Sequence, residues 1–222
     1  MIVGVLLAGG ASKRMGRPKA LVKTEAESFL ARGVRRLWTA CDSVVVVLGS
    51  DAREIRAKAE HEFERLVSSG GLHEDLRQAH GHGAAELEVR FAVNPRWKQG
   101  MFSSVRCGLE GALDLKPAAA MLMPVDHPAV QPITVASLAG VMLQALAACR
   151  PGRERAQFSY ALVPRFRNQR GHPIALSPAL ARAVVLDRVA ETLSDAIRRN
   201  ARMVGYLDVH DRGIVVNRNT AD

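Results

Sequence analysis

The segment whose residue types indicate chemistry most clearly is a glycine turn near the N-terminus followed by several cations. Gly9 and Gly10 let the backbone approach a ligand closely and present its amide hydrogens. Four basic residues follow within seven positions: Lys13, Arg14, Arg17 and Lys19. Amide hydrogens combined with cations suit a polyphosphate, so this segment predicts a phosphate-binding loop. A tight turn with solvated basic side chains is the alternative interpretation.

Two common nucleotide-binding motifs are absent around these glycines. No glycine stands five residues after Gly9 or Gly10, and no Gly-Lys-Ser/Thr follows, so the segment is not a Walker P-loop. The Gly-x-Gly-x-x-Gly spacing of dinucleotide-binding turns is missing as well. Both P-loop ATPases and dinucleotide-dependent oxidoreductases are therefore disfavoured.

A carboxylate that follows an apolar segment is the second candidate for chemistry. Ala118 to Val125 is apolar and leads directly into Asp126, His127 and Pro128. An unpaired carboxylate is costly to bury, and Mg²⁺ prefers one or two carboxylates together with phosphate oxygens and water. Asp126 is thus predicted to bind a metal, with capping of the turn before Pro128 as the alternative. His127 is expected to be a structural neighbour, because Mg²⁺ disfavours imidazole.

Two further segments could contact ligands. Gly100 to Ser104 offers a turn with the hydroxyls of Ser103 and Ser104, suited to a base edge or a ribose, although simple helix capping is equally compatible. Asn94 could assist, but an Asn before proline is also an ordinary turn residue. The stretch from Ala148 to Pro173 carries six arginines and one glutamate, which suits a polyanionic acceptor as well as a solvated surface.

The elements that must position these residues alternate along the chain. Buried strands are predicted at Ile2 to Leu7, Ser43 to Leu48 and Ala118 to Val125, with a half-exposed strand at Leu87 to Val93. Amphipathic helices are predicted from Leu30, from about Ile55, over Val105 to Leu113 and over Ile133 to Ala148, with later ones near Pro178 and Thr192. Further strands are predicted at Gln157 to Val163, His172 to Leu176, Met203 to Val209 and Gly213 to Val216.

This alternation indicates the fold class. It predicts a three-layer α/β/α domain with a mostly parallel, Rossmann-like open sheet. Ligands of such sheets bind beyond the carboxyl ends of the strands, where both Gly9 and Asp126 are expected. The segment 68–85, with His73, His80 and His82, has no periodicity and is interpreted as a loop, not as a transition-metal site.

Composition narrows the protein class. A hydrophobic content of 48% with 24% charged residues is ordinary for a globular chain, and no apolar run reaches the roughly 18 residues of a membrane span. The N-terminus lacks the charge order of a secretory signal, and three distant cysteines encode no disulfide framework, so a soluble cytoplasmic protein without a membrane partner is expected. The net charge of +9 favours an anionic partner, while the few aromatic residues disfavour nucleic acid.

Several of these segments together resemble a known family. Leu7 to Lys19 is similar to the Leu-Ala-Gly-Gly-x-Ser-x-Arg-Met-Gly-x-x-Lys signature of the MobA-like nucleotidyltransferases. The resemblance continues in order through Asn94 to Val105, Pro124 to Pro128 and Arg170 to Pro173. The later segments look most like the molybdenum cofactor cytidylyltransferase branch. The resemblance implies a fold of the nucleotide-diphospho-sugar transferase type, in one domain over 1–222 with a nucleotide-binding half at 1–130 and an acceptor-binding half at 131–222.

The resemblance also implies a reaction and roles for individual residues. A nucleoside monophosphate would pass from a nucleoside triphosphate, with CTP favoured, to a phosphorylated acceptor of the molybdopterin type, releasing pyrophosphate. The catalytic residues would be Arg14, Lys19 and Asp126. The residues expected to bind the nucleotide are Leu7, Ala8, Gly9, Gly10, Ser12, Asn94, Gly100, Ser103 and Ser104. Arg167, Arg170 and His172 would bind the acceptor, and a transient contact with a molybdoenzyme is implied.

The metal site departs from the family pattern. Mg²⁺ would be held by Asp126 and, more weakly, by Asn217, because family members commonly end in a segment resembling Asp-Ile-Asp-Thr-Pro-Glu-Asp while this chain has Asn217 to Asp222. Two alternatives therefore stay open. One is a guanylyltransferase or a sugar- or alcohol-phosphate nucleotidyltransferase of the same fold, and the other is a catalytically weak nucleotide-binding regulatory module.

Overall fold

The computed structural model describes residues 1–10, 18–24, 27–68, 88–150 and 152–218. Ser12 and Arg14, the histidines of the 68–85 segment and the tail beyond Arg218 lie outside these residues. Among the described residues, no helix combines the length and the apolar composition that crossing a membrane requires.

The centre of the fold is an eight-stranded sheet formed by the described residues. Its strands are β1 (Ile2–Leu7), β4 (Ser43–Leu48), β5 (Glu88–Val93), β6 (Ala119–Pro124), β7 (Tyr160–Phe166), β8 (Gln169–Arg170), β9 (Ile174–Leu176) and β10 (Met203–Asp208). The spatial order is β10, β7, β9, β6, β1, β4, β5, with β8 pairing beside β7. The two remaining strands, β2 (Lys23–Thr24) and β3 (Glu27–Ser28), form a small antiparallel pair.

The direction of the strands confirms the prediction of a mostly parallel sheet. β1 lies between β4 and β6 and pairs in parallel with both, and β5 continues the parallel set beyond β4. β9 runs antiparallel to both β6 and β7, so β7 points in the same direction as β6, and β10 is parallel to β7. The carboxyl ends of β1, β4, β5, β6, β7 and β10 therefore meet at one edge, which we call the carboxyl edge.

Helices cover both faces of the sheet, as the predicted three layers require. They are α1 (Phe29–Trp38), α2 (Ala52–Ser68), α3 (Met101–Leu113), α4 (Pro132–Ala148), α5 (Arg153–Gln157), α6 (Pro178–Leu186) and α7 (Leu193–Asn200). Apolar residues of α1, α2 and α4 share one buried core with one face of the strands. Those of α3, α6 and α7 share a second core with the opposite face. Every residue of β1, β4 and β6 is buried, because these central strands are covered on both sides.

The sequence-based prediction differs from the structure at several places in the second half of the chain. The strand predicted from His172 begins at Ile174. Gln157 ends α5 instead of starting a strand, and β7 begins only at Tyr160. The strand predicted at Gly213 to Val216 is wrong, because Arg212–Ile214 forms a 3₁₀ turn. The Asp211 side chain caps this turn by accepting a hydrogen bond from the Gly213 amide, and this local hydrogen bond outweighs the β propensity of the valines.

Helix α3 can pack closely on the sheet because Gly108 has no side chain. A Cβ on Gly108 would lie 2.4 Å from Val5 Cγ1 and 2.7 Å from Val47 Cγ2. We predict that Gly108→Ala lowers the free energy of unfolding by about 1–3 kcal/mol, because the helix must move away from β1 and β4. Chemical denaturation measures the change.

Gly140→Ala in α4 is the matched control, since a Cβ there meets nothing within 4 Å. It should raise stability by about 0.5–1 kcal/mol, as alanine is favoured over glycine inside a helix. Equal effects of the two substitutions would contradict the packing described for Gly108.

Candidate active site

Four chain segments reach the carboxyl edge side by side. Gly9 follows β1, Gly49 follows β4, Asn94 follows β5 and Asp126 lies two residues after β6. The strand register aligns them, because Leu7 pairs with residues near the ends of β4 and β6. The sequence-based placement of Gly9 and Asp126 at this edge is thus confirmed.

Asp126 forms an ion pair with Lys19, although the two residues are 107 positions apart. Lys19 Nζ lies 3.1 Å from Asp126 Oδ2, and both side chains are largely buried. The other oxygen, Oδ1, is buried and accepts no hydrogen bond from any described residue. The turn-capping alternative for Asp126 is therefore not observed. The carboxylate instead presents one unpartnered oxygen next to a cation.

The residues around Asp126 suit a Mg²⁺ ion held partly by phosphate and water better than a metal ion held only by protein side chains. Within the described part of the chain, no three His, Cys, Asp or Glu side chains are grouped to hold a metal ion. A fully protein-ligated metal is therefore not supported there. One buried carboxylate oxygen does fit Mg²⁺, which takes most of its ligands from phosphate oxygens and water.

Two histidines pack beside this carboxylate. The rings of His127 and His172 lie 4.9 Å apart between centroids, and His127 Nε2 is 3.8 Å from Asp126 Oδ1. Burial lowers the pKa of His127, and burial together with the neighbouring His127 lowers the pKa of His172 to about 4. Both imidazoles are therefore neutral at pH 7. His172 comes from the segment just before β9.

The C-terminal segment also reaches Asp126. The Arg218 amide donates a hydrogen bond of 2.9 Å to the Asp126 carbonyl oxygen. Asn217, the second predicted metal ligand, is the residue before this contact and has an exposed side chain. The structure thus brings the Asn217 backbone to the edge where Asp126 lies.

The polar residues predicted to read a base or ribose form one hydrogen-bonded cluster. Asn94 Nδ2 donates to Ser103 Oγ at 2.8 Å and to Ser104 Oγ at 3.0 Å, and Asn94 Oδ1 accepts from the Arg96 amide. Ser103 Oγ donates back to the Gly100 carbonyl oxygen. Neither serine caps α3, because the N-cap is Gly100 and no side chain bonds there. The capping alternative is therefore wrong, and these side chains hydrogen-bond to one another and to the nearby backbone.

Gly49 is a site residue that sequence reasoning missed. A Cβ on Gly49 would lie 2.1 Å from the Gly9 carbonyl oxygen and 2.8 Å from Trp97 Cβ. A Cβ on Gly9 would lie 3.0 Å from Ser104 Oγ. The Gly9 backbone therefore lies close to the backbone of Gly49 at the end of β4 and to the Ser104 side chain. The only available signal was a glycine directly after a four-valine strand.

The arginines predicted to bind the acceptor lie farther along the same edge. Arg167 lies on the turn between β7 and β8, and Arg170 lies in β8. Both residues are exposed, and the Arg167 guanidinium lies over the Phe166 ring. Arg165 of the same cluster makes a two-pronged ion pair with Asp208, with two N to O distances of 2.9 Å. Arg165 is thus occupied structurally, whereas Arg167 and Arg170 face solvent. No ion pair involving either of those two is recorded among the described residues.

Comparison with known proteins covers nearly the whole chain. A family model for the MobA-like NTP transferase domain matches residues 4–205. The chain is 32% identical over 224 residues to nicotine blue oxidoreductase from Paenarthrobacter nicotinovorans, covering 95% of this chain and 88% of that protein. It is 31% identical over 109 residues to a protein named "Probable molybdenum cofactor guanylyltransferase" from Opitutus terrae, covering 47% of this chain and 54% of that one.

Solved structures agree in fold. A nucleotidyl transferase from Methanothermobacter thermautotroptrophicus superposes with a TM-score of 0.63 at 18% identity, covering 100% of this chain and 93% of that one. The Mycobacterium tuberculosis protein Rv0371c in complex with manganese gives a TM-score of 0.58 at 19% identity, covering 94% and 88%. At these identities the likeness shows the fold, which is that of nucleotide-diphospho-sugar transferases, as predicted.

The glycine turn after β1, the carboxylate after β6 and the order of the strands thus occur together with a sequence match along almost the entire length. This chain therefore belongs to the family of MobA-like NTP transferase domains.

Proposed function

We propose that this protein is a Mg²⁺-dependent nucleotidyltransferase. It moves a nucleoside monophosphate from a nucleoside triphosphate, with CTP favoured, to a phosphorylated acceptor of the molybdopterin type. The observation that carries the proposal is the Lys19 and Asp126 pair beside the glycine turn, with Asp126 Oδ1 unpartnered. A buried carboxylate with one unused oxygen next to a cation suits a phosphate-bridged metal better than it suits a purely structural ion pair.

The reaction needs positioning and charge neutralisation more than proton transfer. The second pKa of a phosphate monoester is about 6, so the acceptor oxygen is already ionised at neutral pH and requires no general base. This oxygen forms a bond to the α-phosphorus while the bond from that phosphorus to pyrophosphate breaks. Mg²⁺, when bound, supplies charge neutralisation for the phosphate oxygens.

Residues of this chain supply the remaining stabilisation. In this proposal the Lys19 ammonium, which pairs with Asp126, also contacts a phosphate, and the amides of Gly9 to Ser12 hold the β- and γ-phosphates. Arg14 and Ser12 complete the phosphate loop in this proposal. Asn94 hydrogen-bonds to Ser104, and Ser104 lies next to Gly9, so both residues help to hold the loop in position. Asp126 and Asn217 hold the metal.

The acceptor is proposed to dock on the second half of the chain. His172 lies against His127 beside Asp126, Arg167 lies on the turn after β7, and Arg170 lies in β8. Guanidinium groups grip phosphate in a two-pronged way and are weakly hydrated, which suits a polyanionic ligand. The division into a nucleotide-binding half at 1–130 and an acceptor-binding half at 131–222 is part of this proposal.

The nucleotide base is the least constrained part of the proposal. CTP is favoured by the resemblance around Gly100 to Ser104, and the Opitutus terrae relative supports GTP as the alternative. The serine and asparagine side chains hydrogen-bond to one another, so they offer few unused groups for discriminating between bases. Pyrophosphate release with CTP and GTP side by side decides between cytidylyl and guanylyl transfer.

The Paenarthrobacter nicotinovorans relative supports a second candidate function of another class. That protein is named an oxidoreductase and is similar along 95% of this chain. A member of this family can thus carry a name unrelated to nucleotidyl transfer. Conversion of nicotine blue without any pyrophosphate release from the four nucleoside triphosphates would favour this candidate.

The central test replaces the Asp126 carboxylate. We predict that Asp126→Asn lowers the rate of Mg²⁺-dependent pyrophosphate release by at least about a hundredfold, because the neutral amide cannot replace the charge that binds the metal. The variant should keep the native fold, since the side chain keeps its size, although the loss of the ion pair with Lys19 lowers its melting temperature. Asp208→Asn is the control, as it removes a carboxylate from another strand end of the same edge. Full activity of Asp126→Asn would refute the site.

A second prediction concerns the contact between loops. Gly49→Ala should raise the Michaelis constant for the nucleoside triphosphate by about tenfold or more, because the new Cβ pushes the Gly9 carbonyl and Trp97 apart. The constant for the acceptor should change much less. Ser50→Ala, one residue further on, is the control because it adds no atom. An unchanged nucleotide constant would show that the loop tolerates the displacement.

A third prediction concerns the acceptor. The double charge reversal of Arg167 and Arg170 to Glu should raise the Michaelis constant for the acceptor and leave the constant for the nucleotide nearly unchanged, because the negative side chains repel a polyanion. Steady-state kinetics with each substrate varied in turn measures both constants.

Arg182→Glu combined with Arg188→Glu provides the matched control for net charge, since both arginines are exposed in the α6 region. Equal effects of the two double variants would indicate a general charge effect. Equal damage to both Michaelis constants would place the acceptor elsewhere.

A further inference from the structure

The chain after β10 folds back over the candidate site. We call residues 211–218 the C-terminal strap. Its backbone makes two hydrogen bonds to site segments: the His172 amide donates to the Ile214 carbonyl oxygen at 3.0 Å, and the Arg218 amide donates to the Asp126 carbonyl oxygen at 2.9 Å. The strap thus hydrogen-bonds to the main chain of both Asp126 and His172.

The strap lies very close to its neighbours. A Cβ on Gly171 would lie 2.4 Å from the Ile214 carbonyl oxygen, and a Cβ on Gly213 would lie 2.1 Å from the Ala129 carbonyl oxygen. Side chains are therefore excluded at both contacts. The position of the strap along the edge is consequently set by whatever holds the turn around Gly213 in place.

That anchor is a buried carboxylate. Asp211 is 3% exposed, and its Oδ2 accepts hydrogen bonds of 2.8 Å from both the Gln131 amide and Thr134 Oγ1 at the start of α4. Its Oδ1 accepts a hydrogen bond of 2.7 Å from the Gly213 amide. The carboxylate therefore ties the first turn of α4 to the turn of the strap, where the positive end of the helix dipole also favours a negative charge.

We propose that Asp211 is a positioning residue of the site. By clamping the strap to α4, it holds Ile214 against His172 and Arg218 against Asp126, and thereby fixes Asn217 beside the metal-binding carboxylate. The metal part of this inference rests on the proposed function, whereas the clamping of the strap does not. None of the Asp211 atoms touches a reacting group, so its effect on the site passes through the strap.

An isosteric substitution separates positioning from bulk packing. Asp211→Asn keeps the volume but replaces one acceptor oxygen with an NH₂ group, so the hydrogen bond from either the Gly213 amide or the Gln131 amide is lost, whereas the Thr134 hydroxyl can accept as well as donate. Thr134→Val removes only one donor to the same oxygen and serves as a milder variant should Asp211→Asn fold poorly. Asp187→Asn is the matched control, because its carboxylate also caps a turn but bonds only within residues 187–200.

The experiment combines two measurements that do not depend on turnover. Amide hydrogen exchange should show lost protection at His172, Gly213 and Arg218 in Asp211→Asn, with other amides of the sheet unchanged. Mn²⁺ titration followed by electron paramagnetic resonance, with CTP present, should show affinity about tenfold weaker than in the wild type, a typical cost of removing a group that orients a ligand. Thr134→Val should shift both readings in the same direction by less, and Asp187→Asn should shift neither.

Several results would overturn the proposal. Unchanged exchange at His172 and Arg218 in Asp211→Asn would show that the strap needs no clamp. Lost protection with unchanged Mn²⁺ affinity would show that the strap does not position the residues that bind the metal. If the proposed function is wrong, the wild-type protein itself binds no Mn²⁺ in the presence of CTP. Amide hydrogen exchange would then still show whether Asp211 holds the strap in place.

Discussion

The parallel pairing of β1 with β4 on one side and β6 on the other is the constraint on which the rest of the site depends. Parallel strands end at the same edge, so the glycine turn after β1, the glycine after β4 and the carboxylate after β6 are delivered together. Because these strands are buried on both faces, a shift in register would displace hydrophobic side chains from both cores. The stability of the fold and the alignment of the site therefore come from the same contacts.

Much of this arrangement follows from local patterns in the sequence. The four valines of β4 and the apolar residues of β1 and β6 predict buried strands, and the residues directly after them then fall at the carboxyl edge without further information. The prediction of a fold and of a site edge succeeds here because both depend on hydrophobic patterning within short windows.

Contacts between distant segments were not predictable in the same way. The pairing of Lys19 with Asp126 joins residues that share no local pattern, and Gly49 gains its role only because the Gly9 carbonyl lies against it. No sequence pattern identifies Asp211 as the residue that ties the strap to α4, because the three groups that donate hydrogen bonds to its carboxylate come from two separate segments. The incorrect strand at Gly213 to Val216 has the same origin, because a side-chain hydrogen bond determined a backbone that propensity alone assigned differently.

The contact between Gly9 and Gly49 has a consequence for how such a protein diversifies. The anchor of the glycine loop is formed by main-chain atoms and the absence of a side chain, so it does not depend on which residues occupy the positions that follow. The residues at those positions can then change without moving the contact between Gly9 and Gly49. A fold with such a contact can bind different ligands with little change in its backbone. This agrees with relatives of the chain whose names are as different as guanylyltransferase and oxidoreductase.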